Sequence, residues 1–553
     1  MKKISKLICT LAFIFAFSLI LTACSSDSGT TEDNESENTQ EEKSEVSNED
    51  SGEAQQGGDL IVGNVSAPTL FNDMFSSDVP SDTIEGFMFD PLTTIDENLE
   101  PAPGLAEDWE YSEEELKWTF HLREGVNWHD GEPFTAEDVA FSYNIPLNEE
   151  YTGPRGSHFA SIESIEATDD YTVEITLKRP DAKFLFQTTV YDILPKHILG
   201  DIPVSDLDEA DFNTKNPVGT GPFKFDEWVQ GQYVKVVAND DYFQGRPYLD
   251  SITYKIVPDK NALLAQYQAG DIDYMRVSQS DMPTVESLID QGQAQLEKVP
   301  DLQYNYIGYN LRNPIFEDKK VRQALTHALD REEILETIVY GDGELSNSPG
   351  LPFSWAYNED VPVFEYDPEK AKELLSEAGW EDTDGDGIRE KDGTKLSFSI
   401  KSGQGREVRE QITQVAQQQW AEVGVEVTPE IIEWSAFIDQ IHQFDYDAYV
   451  LGWSLTADPS ITSYFHSDEV ENGLNYGAYS NPELDKLMEE SDMAMDQEKR
   501  AELIEEAQAI VAEEQPYTFL YSQNGNHLFV PQLHPNMHSG NSYYKIHEWW
   551  MEQ

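Results

Sequence analysis

Basic residues are scarce in this chain of 553 residues, which has 36 lysines and arginines against 106 aspartates and glutamates. The formal net charge is −70. A protein that neutralises nucleic-acid phosphates needs an excess of positive charge, so this composition argues against nucleic-acid binding. It argues equally against attraction of a folded surface to anionic lipid heads. A surface this negative keeps a protein soluble, and it is compatible with cationic ligands or with adaptation to a salty or alkaline exterior.

Cysteine and long apolar runs are scarce as well. The two cysteines, Cys9 and Cys24, are too few for a disulfide framework. After the first 23 residues, no apolar run reaches the ~20 residues that a membrane-spanning helix needs. The length allows several domains of roughly 150 residues, and 39% hydrophobic residues can build a large core. We therefore predict a multidomain globular protein after the first segment.

The first 23 residues have the pattern of an export signal. Three lysines precede an apolar stretch of about 15 residues, which is short for a membrane span and typical of a signal peptide. The run Leu21-Thr22-Ala23-Cys24 resembles the lipobox of bacterial lipoproteins, in which the cysteine is acylated and the chain is cut before it. We predict that residues 1–23 are a signal peptide and that Cys24 carries the lipid. The alternative is an uncleaved membrane anchor.

A polar, acidic segment follows the predicted signal. Residues 24–58 are mostly Ser, Thr, Asn, Gln, Glu and Asp, with almost no apolar side chain. Such a segment cannot bury enough surface to offset the entropy lost on ordering. We predict a disordered acidic tether that holds the folded part away from the membrane.

Helix and strand signals alternate over the rest of the chain, which predicts an α/β protein. The predicted strands are 59–65, 118–122, 171–178, 233–238, 252–257, 304–310, 425–432 and 448–453. Helix starts are predicted at Thr135, Asp367-Pro368 and Asn481-Pro482, because these residues are typical N-caps and first-turn prolines. Helical apolar spacing predicts one helix from Val321 to Gly341 and another over 412–423.

Sequence signatures of catalysis are missing. The chain has no P-loop, no dinucleotide-binding fingerprint, no nucleophile elbow and no zinc-protease motif. The mature chain would also have no thiol. We therefore expect that the protein is not an enzyme and that it requires no cofactor.

Residues 382–388 match the first seven positions of an EF-hand calcium loop. The candidate ligands are three alternating carboxylates and one main-chain carbonyl, those of Asp382, Asp384, Asp386 and Ile388. Gly393 occupies the twelfth position, where an EF-hand has glutamate, and Glu390 or Asp392 would have to substitute. We predict weak structural Ca²⁺ binding. The alternative is an Asp/Gly-rich turn without an ion.

Several stretches of the chain together resemble one protein family. They are Leu105–Trp109, Trp118–Val126, Trp128–Gly131, Thr135–Val139, Asn216–Phe223, Val321–Leu325, Ala378–Trp380 and Gly452–Trp453. In this order they resemble the family 5 extracellular solute-binding proteins of bacterial ABC importers, over nearly the whole mature chain. Within the family, the stretches 194–200 and 515–521 are most similar to the App-type oligopeptide-binding lipoproteins of Gram-positive bacteria.

The resemblance implies a two-lobed periplasmic-binding-protein-like fold, class C with three regions, with the ligand site in the cleft. The implied regions are 59–90, 216–309 and 520–553 for the main domain of the first lobe, 91–215 for a domain inserted in it, and 310–519 for the second lobe. It further implies a lipid-anchored receptor, outside the cell membrane, that captures extended oligopeptides and delivers them to an ABC permease. We expect this receptor to be a monomer.

The resemblance also implies which residues contact the peptide. Ser76 and Ser77 would pair with its backbone, and Asp458 would bind its α-ammonium group. The stretch that contains Asp458 departs from the family pattern. The run after Trp453 is one residue shorter, and Thr456 stands where the family has an Asp.

Four further positions are implied to lie in or near the cleft. Trp434 and Trp453 would line it, and Tyr306 and Asn310 would lie where the chain crosses between lobes. Arginines that clamp the peptide carboxylate in some members have no counterpart, because Ile441 and Val450 occupy their places. This favours longer peptides without a fixed carboxylate clamp.

Other functions stay open at this point. The same fold could bind a dipeptide, a nickel chelate, haem or an oligosaccharide, since aromatic side chains also stack on sugars. A peptide-sensing lipoprotein is a further alternative, and so is an exported hydrolase.

Overall fold

The structure is a computed structural model that describes residues 54–553, the side chain of Asn472 excepted. The predicted signal peptide, the lipidation site Cys24 and most of the predicted tether therefore lie outside the described residues. Across the described range, every helix is too short or too polar to span a bilayer.

Strands and helices alternate along the described chain, as predicted. The strands are β1 (Asp59–Asn64), β2 (Thr93–Ile95), β3 (Pro101–Pro103), β4 (Ala106–Ser112), β5 (Lys117–Leu122), β6 (Ile162–Asp169), β7 (Thr172–Leu177), β8 (Phe223–Val229), β9 (Tyr233–Ala238), β10 (Ser251–Ile256), β11 (Tyr274–Val277), β12 (Gln295–Pro300), β13 (Gln303–Tyr309), β14 (Gly343–Leu345), β15 (Glu390–Lys391), β16 (Thr394–Lys395), β17 (Ser397–Gly403), β18 (Glu426–Ile432), β19 (Ala448–Ser454), β20 (Tyr517–Phe529), β21 (Leu533–His534) and β22 (Trp550–Met551). The α-helices are α1 (Val79–Met88), α2 (Ala136–Asn144), α3 (Phe184–Gln187), α4 (Lys196–Leu199), α5 (Lys260–Ala269), α6 (Met282–Asp290), α7 (Lys319–His327), α8 (Arg331–Thr337), α9 (Pro368–Glu377), α10 (Glu407–Ala421), α11 (Trp434–His442), α12 (Thr462–Phe465), α13 (Glu469–Asn472), α14 (Pro482–Met493) and α15 (Gln497–Glu514). Short 3₁₀ helices cover Gly156–Phe159, Val204–Glu209, Asp211–Asn213, Gln279–Asp281, Pro314–Phe316 and Ile546–Glu548.

Twelve strands form one large mixed sheet. Its order is β18-β17-β19-β13-β20-β11-β1-β10-β9-β8, and β12 and β14 also pair with β20. The strand β1 is parallel to β10 and β11, and β17 is parallel to β18 and β19. The mixed sheet with helices on its faces confirms the predicted α/β class.

The long strand β20 belongs to both halves of this sheet. Its beginning, residues 517–521, pairs with β13, and its end, residues 524–529, pairs with β12. The chain crosses between the halves a second time beside it, where the N–H of Asp301 donates to the carbonyl of Gln523 at 3.0 Å. Two lobes joined by adjacent strand segments have the geometry of a hinge.

Each half of the sheet is buried on both faces. In the first half, the neighbours Leu528 and Phe529 of β20 enter two different apolar clusters. In the second half, Phe519 and Leu520 do the same. Successive side chains of a strand point to opposite faces, so both lobes have a layered core on either side of the sheet.

A separate four-stranded antiparallel sheet, in the order β4-β5-β7-β6, lies within the region predicted as an insertion. On β5, Trp118, Phe120 and Leu122 are buried and alternate with more exposed side chains. The Trp118 ring stacks on Phe184 with centroids 6.0 Å apart. These residues belong to the same apolar cluster as Leu60 of β1, so this sheet is part of the first lobe.

The predicted helix starts are confirmed. The carboxylate of Asp367 accepts hydrogen bonds from two N–H groups of the first turn of α9, with Pro368 at its first position. The side chain of Asn481 does the same for α14. At α2, the carboxylate of Asp138 accepts a hydrogen bond from the N–H of Thr135 at 3.0 Å. Caps satisfy the free N–H groups of a helix start within a few residues, which makes them readable from sequence.

The prediction of a single helix from Val321 to Gly341 is wrong. The segment forms two helices, α7 and α8, with a break between His327 and Arg331. The break arises because Asp330 caps α8, accepting the N–H of Glu333 at 2.8 Å. Apolar spacing continues across the break and hides it.

The predicted lobe boundaries stay a prediction, although strand pairing places one segment differently. Residues 303–309 were assigned to the first lobe, but as β13 they pair along their whole length with β19 of the second half. The crossing therefore falls near Asp301.

We predict opposite effects for two glycine-to-alanine changes. A Cβ on Gly308 of β13 would lie 2.3 Å from the Tyr449 ring, whereas a Cβ on Gly86 of α1 would meet nothing within 4 Å. Gly308→Ala should therefore lower the free energy of unfolding by about 1–3 kcal/mol through overpacking. Gly86→Ala should raise it by about 0.5–1 kcal/mol through helix propensity. Urea denaturation measures both, and a Gly308→Ala variant as stable as the parent would contradict the packing described for β13.

Candidate functional site

Asp458 lies just after β19, and its carboxylate is paired inside the protein. Its two oxygens accept hydrogen bonds from Nη2 of Arg500 at 3.1 and 2.8 Å, and one of them also accepts the N–H of Ser460 at 2.8 Å. The side chains of Asp458 and Arg500 are 5% and 2% exposed. An α-ammonium group would therefore have to share Asp458 with Arg500, and the ligand role of Asp458 stays a prediction.

Arg500, on α15, was not singled out from the sequence. Its Nε donates to the carbonyl of Ser491 at 3.2 Å, and its buried Nη1 has no hydrogen-bond partner among the described residues. The guanidinium lies 5.6 Å from the ring centre of Phe186 and 5.8 Å from that of Trp355. These two rings stack on each other and come from different lobes. The ion pair thus lies under an aromatic contact between the lobes.

A small cavity lies beside this ion pair, between the lobes. Its volume is about 20 Å³, which is room for about one water molecule. It is lined by Leu99 from the first lobe and by Pro349–Leu351, Ser354, Leu455–Ile461 and Tyr464 from the second. A peptide could enter here only if the lobes separate or rearrange.

Polar contacts hold the lobes together near this cavity. Nζ of Lys183 donates to the carboxylate of Asp492 at 2.8 Å, and the N–H of Ala182 donates to the Asp492 carbonyl at 2.9 Å. The amide of Gln497 donates to Glu100 at 2.8 Å. These contacts would have to break if the lobes separate.

Trp453 ends the Gly-Trp pair and is half-buried in an aromatic cluster. Its ring centre lies 4.7 Å from that of Tyr464 and 5.2 Å from that of Tyr476, and it stacks on Tyr306 at 6.1 Å. Its Nε1 is buried and has no hydrogen-bond partner among the described residues. The ring therefore packs in the core with part of its surface and leaves the rest exposed.

Trp434 begins α11 and is also half-buried. The guanidinium of Arg406 lies over its ring at 4.7 Å. Gly403, at the end of β17, has to lack a side chain here, because a Cβ would lie 2.4 Å from the Trp434 ring. Backbone and ring are packed tightly, which fixes the orientation of Trp434.

Tyr306 and Asn310 are buried within the second lobe. Tyr306 is fully buried and stacks on Tyr517 with ring centres 4.1 Å apart. The amide of Asn310 donates to the carbonyls of Phe444 and Tyr446 at 3.2 and 2.9 Å. Tyr306 has no exposed surface in this structure, and its role in ligand binding stays a prediction, as does that of Asn310. Asn310 uses its amide to hold the loop before β19.

Ser76 and Ser77 precede α1 and differ in role. The hydroxyl of buried Ser76 donates to Glu85 at 3.0 Å, and its carbonyl accepts from Arg155 at 3.0 Å. Ser77 is exposed, and its backbone N–H and C=O have no hydrogen-bond partner within residues 54–553. Free backbone groups of this kind can pair with an extended peptide. Ser76 holds the segment in place and Ser77 faces outward.

Arg409 on α10 is a second residue that the sequence did not reveal. Its Nε donates to the side chain of Asn305 at 3.2 Å, and Nη2 lies against Gly452, next to Trp453. Burial lowers the pKa of Arg409, and the nearby Tyr521 opposes this effect. No carboxylate of the described chain lies within ion-pair distance of it. In this chain, Arg409 thus has an amide oxygen as its side-chain hydrogen-bond partner rather than a carboxylate.

Four carboxylates crowd around one arginine at the base of the Ser76 segment. Asp73 accepts from Nη2 of Arg155 at 3.1 Å, yet burial outweighs that charge and raises the pKa of Asp73 to about 6. Burial and repulsion raise the pKa values of Glu85 and Asp192 well above their usual range. Desolvation also raises the pKa of Asp82, which is the exposed member of the group.

The predicted calcium loop folds around Asp382. Its carboxylate accepts the N–H groups of Gly385 and Gly387 at 2.7 and 3.1 Å. Oxygens of Asp382, Asp384 and Glu390 lie within 4.8 Å of one another. Glu390, predicted as a substitute for the missing twelfth ligand, thus joins the group.

Asp386 departs from the predicted ligand set. Its carboxylate pairs with Nζ of Lys395, and this hydrogen bond lowers its pKa. The other oxygen accepts the N–H of Ile388 at 3.0 Å. Three carboxylates, those of Asp382, Asp384 and Glu390, remain for a cation.

Sequence comparisons relate the chain to solute-binding proteins. A family model described as bacterial extracellular solute-binding proteins, family 5 Middle, matches residues 100–472. The oligopeptide-binding protein AppA of Bacillus subtilis is 44% identical over 562 aligned residues, covering 100% of both chains. Heme-binding protein A of Haemophilus influenzae is 31% identical over 454 residues, covering 76% of this chain and 78% of that protein.

A solved structure is similar over the same extent. The structure of AppA from Bacillus subtilis in complex with a nonapeptide has a TM-score of 0.73 and 46% sequence identity. The match covers 90% of this chain and 100% of that chain. The similarity therefore includes both lobes.

We predict that the Asp458–Arg500 pair stabilises the second lobe strongly. Arg500→Ala leaves a buried carboxylate uncompensated and should lower the free energy of unfolding by about 3–5 kcal/mol. Lys499→Ala, next to it on α15, breaks an exposed pair with Glu502 and should change stability by less than about 0.5 kcal/mol. Chemical denaturation of both variants measures the difference. Equal effects of the two changes would contradict a buried pair.

Proposed function

This chain belongs to the bacterial extracellular solute-binding proteins of family 5, and from that premise we propose that it is the peptide receptor of an ABC importer. It captures extended oligopeptides between its two lobes and delivers them to a membrane permease. The observation that carries this proposal is the 44% identity to an oligopeptide-binding protein over the full length of both chains. The solved structure of that relative is a complex with a nonapeptide.

The site offers groups for each part that peptides have in common. The free backbone of Ser77 can pair with the peptide backbone. Trp453 and Trp434 supply stiff apolar surface for variable side chains. Asp458 would bind the α-ammonium group while retaining part of its contact with Arg500. Closure of the hinge would bring these groups together around the ligand.

We propose a binding role for Arg409, although the sequence favoured a receptor without a fixed carboxylate clamp. The positions expected for such a clamp, Ile441 and Val450, are buried in the core of the second lobe. Arg409 supplies a positive charge from α10 instead, steadied by Asn305. We propose that it binds the α-carboxylate of the peptide or an acidic side chain, since arginine pairs well with carboxylates.

The setting of this receptor is also a proposal. Cys24 would carry the lipid anchor, and the monomeric protein would stand on the outer face of the cell membrane of a Gram-positive bacterium. The lipobox-like run 21–24 supports this anchor. Mass spectrometry of the protein extracted from membranes tests it, since an unmodified Cys24 would contradict it. A receptor without catalytic activity is expected to release peptides unchanged after prolonged incubation.

Haem is the second candidate ligand. The 31% identity to heme-binding protein A over three quarters of this chain supports it. The absorption spectrum of the purified protein titrated with haemin distinguishes the two, because only bound haem shifts the intense haem band.

Native mass spectrometry of the purified protein tests the proposed ligand class. Peptides of mixed sequence and narrow length, released on denaturation, would support an oligopeptide receptor. A single bound species that is not a peptide would overturn the ligand and leave the family membership intact.

We predict that the two ends of the peptide are recognised by different residues. Acetylation of the amino terminus should weaken binding at least tenfold in the parent protein but have little effect in Asp458→Asn. Amidation of the carboxyl terminus should weaken binding in the parent but have little effect in Arg409→Gln. Calorimetry with one peptide in its four end-group forms measures these differences. Lys486→Ala, an exposed change on α14, is the control that should bind all forms like the parent.

Equal affinity of the parent for free and acetylated peptide would contradict an ammonium site. If Arg409→Gln retains the preference for a free carboxylate, Arg409 does not bind it.

We also propose a weak structural Ca²⁺ site in the loop 382–390. It rests on the convergence of Asp382, Asp384 and Glu390 and on a buried Glu390 oxygen without a hydrogen-bond partner in the described chain. Oxygen donors of this kind are the ligands that Ca²⁺ prefers.

We predict that Asp382→Asn removes part of the stabilisation by Ca²⁺. The midpoint of thermal unfolding should rise with Ca²⁺ in the parent and rise less in Asp382→Asn. Differential scanning calorimetry with Ca²⁺ and with chelator measures the midpoints. An equal rise in both proteins would contradict a site in this loop.

A further inference from the structure

A second group of carboxylates is not explained by peptide binding. It lies at the junction of α1 with the region inserted in the first lobe. One oxygen each of Asp73, Asp82 and Glu85 lies within 4.8 Å of the others. Two oxygens that bind the same Ca²⁺ at about 2.4 Å are at most about 4.8 Å apart, so oxygens this close can belong to one site.

The positive charge near this group is too small to balance it. Arg155 donates to the carboxylate of Asp73 at 3.1 Å and to the carbonyls of Asp73 and Ser76 at 3.1 and 3.0 Å. Among the described residues, Arg155 forms an ion pair with Asp73 but not with Asp82 or Glu85. The backbone nitrogen of Asp192 lies 3.5 Å from a carboxylate oxygen of Asp73, and repulsion from Asp73 adds to burial in raising the pKa of the buried Asp192 side chain. Four carboxylates therefore face one guanidinium.

Glu85 gives an independent sign of a missing partner. It is 1% exposed, and one of its oxygens accepts the hydroxyl of Ser76 at 3.0 Å. The other oxygen is buried and has no hydrogen-bond partner in the described chain. A buried carboxylate oxygen without a partner is costly, so such atoms usually bind a proton donor or a cation.

We propose that Asp73, Asp82 and Glu85 bind one divalent cation of the Ca²⁺ type. The donors are all oxygens, without histidine or thiolate, which favours a hard cation over zinc or copper. The exposed side chain of Asp82 provides access from solvent. Ca²⁺ takes about six to eight oxygen ligands, so water would complete the shell, and extracellular Ca²⁺ sites function with dissociation constants of about 10⁻⁴–10⁻³ M.

The position of this site gives it a structural consequence. The cation would join α1, through Asp82 and Glu85, to the segment 73–77 that carries Ser77. The hydrogen bond from Ser76 to Glu85 continues this link. An effect on peptide affinity rests on the proposed function, whereas binding of the cation itself does not.

Calorimetric titration of the chelator-treated full chain with CaCl₂ tests the site directly. Glu85→Gln keeps the shape of the side chain and removes one charged ligand. We expect it to lower the Ca²⁺ affinity of one binding event at least tenfold. Asp382→Asn, in the separate loop 382–390, should leave that event unchanged. A binding curve of Glu85→Gln identical to that of the parent would overturn the proposal.

Thermal unfolding gives a second readout that is sensitive to charge. In chelator, Glu85→Gln should unfold at a higher temperature than the parent, because it relieves repulsion among the carboxylates. Addition of Ca²⁺ should raise the unfolding temperature of the parent more than that of the variant. The difference in unfolding temperature between the two proteins should therefore shrink or reverse. An equal gain in both proteins would overturn the proposal. Neither readout uses a peptide, so failure of the proposed function would leave both interpretable.

Discussion

The strand β20 is the element on which both lobes depend, because its 13 residues supply hydrogen-bond partners to two halves of one sheet. The buried carboxylate of Asp342 reinforces this place. It binds Nζ of Lys298 on β12 at 3.0 Å and the amide of Asn526 on β20. A loop of the second lobe is thereby fixed to strands of the first. Rotation of the lobes must then concentrate in the few residues around Asp301 and Gln523, as in other hinges that join rigid bodies.

The scarcity of basic residues makes each buried arginine informative. Arg322 and Arg331 donate to several main-chain carbonyls and need no ligand to be satisfied. Arg155 and Arg500 pair with carboxylates. Arg409 has one side-chain acceptor, Asn305, and no carboxylate in the described chain. Because the desolvation of a guanidinium has to be offset by partners, these surroundings are the reason for proposing that Arg409 binds an anion of the ligand.

The features that could be predicted from sequence are those whose causes are local. A cap such as Asp367 acts within three residues, and the alternation on β5 acts within six, so both are visible in the sequence. The sequence prediction missed the break before Asp330, because the helical spacing of apolar residues continues across it and does not reveal the N-cap. The burial of Tyr306 was not visible either, because β13 is buried on both faces, where alternation no longer separates core from surface. The family resemblance supplied the lobes, which no local pattern contains.

The interactions that decide the candidate site are tertiary. Asp458 and Arg500 are 42 residues apart and Asp73 and Asp192 are 119 residues apart. Such pairs cannot be identified from a single sequence. In a chain so rich in carboxylates, each of these residues could pair with many others.

The free backbone of Ser77 is the feature that best separates the candidate ligands by physical argument. Trp453 would serve a sugar or haem as well as a peptide, because aromatic rings bind any apolar face. Arg409 would serve the carboxylates of haem as well as that of a peptide. A backbone N–H and C=O presented together in an exposed segment are matched by a ligand with its own alternating donors and acceptors. An extended peptide has these groups at the spacing of a strand, and haem does not. The segment that precedes α1 is held in place by Glu85 and Arg155. Its free backbone groups therefore favour a peptide as the ligand.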